Sequence, residues 1–266
     1  MEQLNLTLAI TGAVVILIGL FSNPIKKSVV QEPIIAMCVG IGVGPYVLGW
    51  IDITEWGEEN SIVEQASRIT LAIGLMGVAL RLQKESVKAL LRPVWWLLTI
   101  GMVGMWLASS ALAGLLLGLS FWAALLLGAV VTPTDPVVAS SIVTGKFAKE
   151  HLPLRVRDAL SFESGANDGL AYLFVMLAVL MLGHAPEEAS SRWVTESLLL
   201  GVVGAAAVGC LIGYAAAKLL AFAERHKIVE NTSLLGYTVA FSLLTLGLAQ
   251  LMAMDALISV FLAGLV

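Results

Sequence analysis

The chain has 266 residues, of which 59% are hydrophobic and 13% are charged, whereas soluble domains carry about 25% charged residues. This composition excludes an ordinary soluble domain and indicates a protein that lies in a membrane. The net charge of −4 is spread over many short segments, and no basic cluster is interleaved with aromatic residues, so we expect no nucleic-acid partner.

Apolar runs follow one another along the chain, most of them roughly 20 residues long, which is enough for a helix to cross about 30 Å of hydrocarbon. The sequence therefore predicts an all-α polytopic membrane protein with about nine transmembrane helices. The predicted spans are 5–22, 33–50, 66–82, 94–117, 121–144, 156–182, 194–222, 232–252 and 255–266.

Basic residues are distributed unevenly between the two sets of linkers. Thirteen of the fifteen lysines and arginines follow the first, third, fifth and seventh spans. Only Arg68 and Arg192 fall on the opposite side, where the linker between the second and third spans is acidic. Because positively charged loops stay in the cytoplasm, the pattern predicts that the N-terminus lies outside.

The last span, DALISVFLAGLV, is apolar up to the final residue. The eleven residues after Asp255 reach only about 16 Å as a helix, roughly half a bilayer. We therefore expect residues 1–266 to be the N-terminal portion of a single, longer membrane domain.

The fifth predicted span is interrupted by the segment Thr-Pro-Thr-Asp-Pro at 132–136. Each proline removes a backbone donor and disfavours helical geometry in the residue before it. Such backbone is tolerated at membrane depth where it is buried in protein or lines a wet cavity, and the intramembrane acid Asp135 indicates a functional site. The alternative is a simple proline kink, in which the hydroxyls of Thr132 and Thr134 pair the freed carbonyls.

The sixth predicted span carries a polar face. Ser161, Ser164 and Asp168 share one side of the helix, and Glu163 and Asn167 lie beside them. Carboxylate, hydroxyl and amide oxygens suit a hard alkali cation, and desolvation disfavours a charged carboxyl, so a proton and a cation can exchange on Asp168. The competing account is a structural ion pair, for which Glu163 is the better candidate.

The position of Asp168 in this span is close to the bilayer centre. It follows Arg157, at the cytoplasmic end, by eleven residues, or about 16 Å of helix. On the same helix, Gly165 and Gly169 form a small-xxx-small ridge, which predicts the close approach of another helix.

The motifs TPTDP and ESGANDG, with KFAKEHLPLRVRDALS between them, resemble the cation:proton antiporter superfamily. The Asn-Asp pair resembles its NhaP-like, electroneutral sodium/proton branch. The resemblance implies that Asp168 is the essential ion- and proton-binding acid and that Asn167 is its branch-defining neighbour. The other implied roles are a side-chain ligand at Ser164, a backbone ligand at Thr134, the acid of the unwound helix at Asp135, and an arginine partner at Glu163. The Na⁺ ligands implied in this way are Asp168, Ser164 and Thr134.

The sequence departs from the family pattern in two respects. Members often carry an acid in the third helix, in a motif like GLELDL, whereas this chain reads GVALRL with Ala79 at that place. Members also have about thirteen helices in two inverted repeats, so the chain is expected to hold the first part of that fold and one side of the site.

The function implied by the resemblance is secondary active exchange of Na⁺ (or Li⁺) for H⁺ by alternating access. It implies no enzyme activity, no cofactor beyond the transported Na⁺ and H⁺, a homodimer among membrane lipids, and the bacterial inner membrane as the location.

Three alternatives stay open. The first is a K⁺/H⁺ antiporter, because selectivity depends on fine ligand placement. The second is an intramembrane aspartyl protease, although Asp168 follows Gly-Ala-Asn rather than the Gly-x-Gly of that class. The third is a fragment that does not transport.

Overall fold

The computed structural model describes residues 2–27, 32–82, 84–226 and 234–266, and these residues form helices and connecting turns with no β-strand among them. The helices are α1 (Glu2–Leu20), α2 (Ser22–Lys27), α3 (Glu32–Val43), α4 (Glu59–Ala79), α5 (Lys84–Trp96), α6 (Met102–Leu117), α7 (Phe121–Val131), α8 (Pro136–Val143), α9 (Gly145–His151), α10 (Leu154–Gly183), α11 (Pro186–Arg192), α12 (Ala205–Arg225), α13 (Leu234–Leu251) and α14 (Ala256–Leu265). Two π-helical segments continue neighbouring helices: Leu97–Gly101 joins α5 to α6, and Trp193–Gly204 joins α11 to α12. A short 3₁₀ helix covers Ile53–Trp56.

Four continuous helical stretches are long and apolar enough to cross a membrane: Glu59–Ala79, Val87–Leu117, Leu154–Gly183 and Pro186–Arg225. Shorter apolar helices cover Leu4–Leu20, Glu32–Val43, Phe121–Val131, Gly236–Leu251 and Ala256–Leu265. The prediction of an all-α, multi-spanning membrane protein is therefore confirmed. The number of nine spans stays a prediction.

The chain divides into two compact units, Met1–Ser67 and Arg68–Val266, with the boundary inside α4. In the first unit, α2 packs against both α1 and α3. In the second unit, α10 is the central helix and contacts α5, α7, α8, α11 and α14.

The core of the second unit forms around the C-terminal half of α4 and around α14. Leu75 and Met76 of α4 are fully buried in the same apolar cluster as Phe261 of α14. The ring of Phe261 meets Phe162 of α10 edge to face, with centroids 5.7 Å apart, an arrangement that aromatic pairs prefer. This core fixes α14 beside the helix that carries most of the candidate site.

The predicted second span, 33–50, is longer than the helix found there. The helix α3 ends at Val43, and the following backbone closes a compact turn in which the N–H groups of Trp50 and Ile51 both donate to the carbonyl of Val43. Pro45 cannot donate to a helical carbonyl, and Gly49 has a φ of 63°, a left-handed conformation that glycine adopts readily.

Three other spans begin earlier than predicted. The third is helical from Glu59. The fourth is already helical from Lys84, with Pro93 inside α5. Leu90 and Val94 are buried while Arg92 of the same helix is exposed. Because this amphipathic turn is not a continuous apolar run, hydropathy placed the start of the fourth span too late. The seventh begins at Pro186, in the first turn of α11, where the missing proline N–H costs no helical hydrogen bond.

Candidate functional site

The predicted interruption of the fifth span is present in the structure. Helix α7 ends at Val131 and α8 begins at Pro136, so four residues between them are not helical. Thr132 is buried, and its hydroxyl donates to the carbonyl of Gly128 at 2.6 Å, which is the pairing that a proline kink would use. The break nevertheless covers four residues rather than bending one continuous helix.

Asp135 begins the second half of the broken helix. Its carboxylate Oδ1 accepts a hydrogen bond from the N–H of Val138 at 3.2 Å, and its carbonyl accepts one from Ala139 at 2.9 Å. An acid at this position satisfies free N–H groups and complements the positive end of the helix. Asp135 is exposed at the break.

A closed set of hydrogen bonds joins the break to α10. The Asn167 Nδ2 donates to the Thr134 hydroxyl at 2.7 Å and to Glu163 Oε1 at 2.8 Å, while the Thr134 hydroxyl donates to Glu163 Oε2 at 3.2 Å. Asn167 is fully buried and Glu163 is 8% exposed. Because each of the three side chains contacts the other two, the non-helical backbone at Thr134 is held against α10. The Oδ1 of Asn167 is buried and has no hydrogen-bond partner within the described part of the chain.

Asp168 lies beside this hydrogen-bonded set on α10. It is partly buried, and its carboxylate interacts electrostatically with Asp135, Glu163 and Asp255. The structure thus gathers four carboxyl groups: two from α10, one from the start of α14 and one from the break. Such a concentration of negative charge attracts a cation and makes simultaneous ionisation of every member costly.

Ser164 is oriented toward its own helix in this structure. It is 1% exposed, and its hydroxyl donates to the carbonyl of Ser161 at 3.3 Å. The structure therefore places Ser164 in the same buried region as Glu163 and Asn167, and its role as a ligand of the ion stays a prediction.

A cavity of about 380 Å³ lies next to the break. Its polar side chains are those of Thr134, Asp135 and Glu163, and apolar residues of α8 and α10 line the rest as far as Val143 and Leu160. Val143 ends α8 immediately before the basic segment that carries Lys146 and Lys149. The cavity therefore extends from the acids of the site toward the end of α8 for which the charge pattern predicts a cytoplasmic position.

The small-residue ridge of α10 has α14 as its partner. A Cβ atom placed on Gly165 would lie 2.3 Å from the ring of Phe261, and one placed on Gly169 would lie 2.1 Å from Ile258 Cγ1. Only glycine leaves room for these side chains. The predicted close approach of another helix is confirmed.

Sequence reasoning missed Asp255. This residue caps α14, since its Oδ1 accepts the N–H of Ile258 at 2.8 Å, and its backbone N–H donates to the carbonyl of Gly201 at 3.1 Å. An aspartate directly before an apolar run is a helix-start signal, and the sequence DALISV contains it. That signal gives the cap but not the neighbours, because Asp168 and Arg68, the other groups with which Asp255 interacts electrostatically, are distant in sequence.

Comparison with known proteins gives a family match over almost the whole chain. The model of the family described as sodium/hydrogen exchanger, transmembrane, matches residues 10–266. The chain is 33% identical over 251 residues to Na(+)/H(+) antiporter 2 of Zygosaccharomyces rouxii, with 93% of this chain and 31% of the relative covered. It is 31% identical over 242 residues to the Na(+)/H(+) antiporter of Saccharomyces cerevisiae, with 90% of this chain and 24% of the relative covered.

A bacterial relative has a different name. The chain is 30% identical over 224 residues to the K(+)/H(+) antiporter NhaP of Alkalimonas amylolytica, with 84% of this chain and 37% of the relative covered. Across the curated relatives that it matches, the chain spans from about a quarter to somewhat more than half of their length.

Proposed function

Because the chain belongs to the family of transmembrane sodium/hydrogen exchangers, we propose that it forms the first part of a secondary antiporter that exchanges Na⁺ or Li⁺ for H⁺. This family is one of transporters, and monovalent cations and protons are its substrates. The relatives named Na(+)/H(+) antiporter, at about 30% identity over most of this chain, support sodium as the cation.

One observation carries the proposal: an interrupted helix faces an acid-bearing helix that is long and apolar enough to cross a membrane. The break between α7 and α8 brings Thr134 and Asp135 to the face of α10 that holds Glu163, Asn167 and Asp168. Broken helices that meet at mid-membrane provide half-helix ends and free backbone oxygens for ions in many secondary transporters.

The proposed mechanism uses Asp168 as the group that binds either a proton or a cation. When the cation enters, the proton leaves the same carboxylate, so one ion is exchanged for the other without a separate energy source. The site opens alternately to the two sides of the membrane. Coupling follows because a carboxylate that holds one ion is not available to the other.

The neighbouring residues have supporting roles in this proposal. Ser164 and the backbone at Thr134 are neutral ligands of Na⁺, and Asp135 adds negative charge at the break. Asn167 fixes Thr134 by a hydrogen bond of 2.7 Å and, being neutral, keeps the exchange electroneutral. Glu163 holds the same pair together and is the partner of a basic residue from another part of the protein.

Several properties of the whole protein follow from the same proposal. The N-terminus lies outside the membrane, since basic segments stay in the cytoplasm. The protein is a homodimer that lies among membrane lipids, is not an enzyme and needs no cofactor. The relatives include yeast proteins and a bacterial one, so they do not favour a bacterial inner membrane over another membrane.

A second candidate function is K⁺/H⁺ exchange. It rests on the name of the relative from Alkalimonas amylolytica, at 30% identity. The two candidates use the same carboxylate and differ in the spacing of the ligands around the cation. Competition between Na⁺, Li⁺ and K⁺ in one transport assay separates them.

The test is proton movement in vesicles that contain the full-length protein. Asp168→Asn keeps the shape of the side chain but cannot bind or release a proton, so we expect it to abolish cation-driven proton movement while the protein still folds. Glu150→Gln is the matched control, because Glu150 is an exposed acid that pairs only loosely with Lys146, at 3.9 Å. Parental activity is expected for this control.

The opposite result would refute the assignment. If Asp168→Asn retains Na⁺-dependent proton exchange near the parental rate, Asp168 is not the exchanging acid, and Asp135 or Glu163 takes its place. Asn167→Asp adds a second acid next to Asp168, and a change in the charge moved per cycle is expected from this variant.

A further inference from the structure

Asp255 is fixed in position by contacts on two sides. Its carboxylate caps α14 through the N–H of Ile258 at 2.8 Å, and its backbone N–H donates to Gly201 at 3.1 Å, in the π-helical segment before α12. Both hydrogen bonds hold Asp255 at the start of α14. Its carboxylate cannot move away without breaking the hydrogen bond from Ile258. The position of this charge is therefore set by the packing of α14.

The same first turn places Asp255 next to the predicted ion site. The residue that it caps, Ile258, lies directly over Gly169, where an added Cβ would be 2.1 Å from Ile258 Cγ1. Gly169 follows Asp168 in the chain, and the carboxylates of Asp168 and Asp255 interact electrostatically. The two acids thus belong to adjoining turns of α10 and α14.

Arg68 supplies the opposite charge. It is the first residue of the second unit, on α4, and it interacts electrostatically with Asp255. The charged groups around Asp168 are then Asp135 at the break, Glu163 on α10 and Asp255 on α14, and those around Asp255 are Asp168 and Arg68. A nearby cation favours the ionised form of a carboxyl, so Arg68 is a favourable partner for a negative charge at Asp255.

We propose that Asp255 is a positioning residue whose fixed negative charge strengthens cation binding at Asp168. The inference rests on the proposed function, because it takes Asp168 as the cation-binding group. A negative charge beyond contact distance attracts a cation through partly hydrated protein without becoming a ligand. Asp255 therefore acts on the affinity for the cation and not on the rate of the conformational change.

The test measures the Na⁺ concentration that gives half-maximal exchange, at one fixed alkaline pH, in vesicles with the full-length protein. Asp255→Asn removes the charge but keeps the cap, because asparagine is a good N-cap. We expect a rise of about three- to tenfold in that concentration, which is what loss of one non-contacting charge produces at partial screening, with little change in maximal rate. Asp255→Glu keeps the charge, and a value close to the parental one is expected.

Asp52 offers a matched control. It also caps a short helix, by accepting the N–H of Thr54 at 3.0 Å, but its hydrogen bonds are exposed to solvent. The hydrogen bonds from Thr54 hold the pKa of Asp52 below its usual value, so it carries a negative charge at the pH of the assay. Asp52→Asn removes a capping charge elsewhere, and the half-maximal Na⁺ concentration should stay unchanged.

Two results would overturn the inference. Either Asp255→Asn leaves the half-maximal concentration unchanged, or Asp255→Glu raises it as much as Asp255→Asn does, which would mean that only the cap matters. If Asp255→Asn does not fold, Asp255→Ser is the alternative, since serine caps a helix without a charge, and the same expectations apply.

Failure of the proposed function is distinguishable from failure of this inference. Exchange that survives in Asp168→Asn refutes Asp168 as the exchanging acid, and a parental protein that moves no protons in response to Na⁺ refutes the proposed function. Na⁺ binding to the purified full-length protein, measured by calorimetry, does not require transport. In that assay weaker binding to Asp255→Asn supports the inference, and unchanged binding refutes it.

Discussion

The crossing of α12 and α14 allows a direct test of how closely the site is packed. A Cβ added to Gly209 of α12 would lie 2.4 Å from the carbonyl oxygen of Ser259 and 2.8 Å from its Cα. These atoms are backbone, so no side-chain rotation can relieve the clash. The hydroxyl of Ser259 also bonds to the carbonyl of Ala205 at 3.0 Å, which ties the two helices together one turn away. Gly209→Ala must therefore push α14 outward.

The magnitude follows from two opposing effects. Overpacking by one methyl group costs about 1–3 kcal/mol, while replacing a helical glycine by alanine gains up to about 1 kcal/mol. Gly104 of α6 has nothing within 4 Å of an added Cβ. Gly104→Ala should therefore show only the gain in stability from the higher helix propensity of alanine. We expect Gly209→Ala to be less stable than Gly104→Ala by about 1–3 kcal/mol.

The assay is unfolding of the purified protein in detergent, followed by tryptophan fluorescence for the two variants and the parent. Because α14 carries Asp255 and Ile258, the shift of this helix should also weaken Na⁺ binding in Gly209→Ala. A Gly209→Ala variant that is as stable as Gly104→Ala would contradict the close crossing of α12 and α14.

Three further predictions concern orientation, the site and packing. A cysteine introduced at Lys149 should resist a membrane-impermeant thiol reagent in intact cells, and ready labelling from outside would reverse the proposed topology. Ser164→Ala should raise the Na⁺ concentration for half-maximal exchange more than it lowers the maximal rate, because it removes one neutral ligand and leaves the carboxylate of Asp168. An unaltered affinity for Na⁺ would show that Ser164 is not a ligand. Trp106→Phe should lower the free energy of unfolding by about 1 kcal/mol, because it removes the hydrogen bond from the indole N–H to the carbonyl of Leu125 at 2.8 Å. The phenylalanine ring can still stack on Phe174, whose ring centroid lies 4.4 Å from that of Trp106. A variant as stable as the parent would show that this hydrogen bond contributes nothing to stability.

The amino-acid sequence was sufficient to predict the features that depend on local covalent chemistry. The two prolines around Thr134 and Asp135 prevent helical hydrogen bonding wherever the chain folds, so the break could be predicted to within a residue. The glycine pair on α10 is also a local signal, because a helix without Cβ atoms on one ridge admits another helix. Long apolar runs predicted membrane-spanning helices, because a helix forms all of its backbone hydrogen bonds within itself and so can cross hydrocarbon.

Helix boundaries were less well determined where the local signal and the environment disagree. The predicted spans leave Pro93 and Pro186 in linkers, but each lies inside or at the start of a continuous helix. Proline stops a helix only where its missing donor and its ring conflict with the preceding turn. At Pro186 there is no preceding turn, and at Pro93 the burial of Leu90 and Val94 in the core stabilises the helix despite the lost hydrogen bond.

The groups that meet at the site became known only from the packing of the helices. The bonds of Asn167 to Thr134 and Glu163 were not predicted, because the first of them spans 33 positions of the chain. The place of Asp255 near Asp168 depends on α14 packing against α10, and nothing in the local sequence of either helix specifies the other as its partner. Electrostatic and hydrogen-bond partners are set by distances in space, and those distances follow from the packing of a core to which α4, α10 and α14 all contribute.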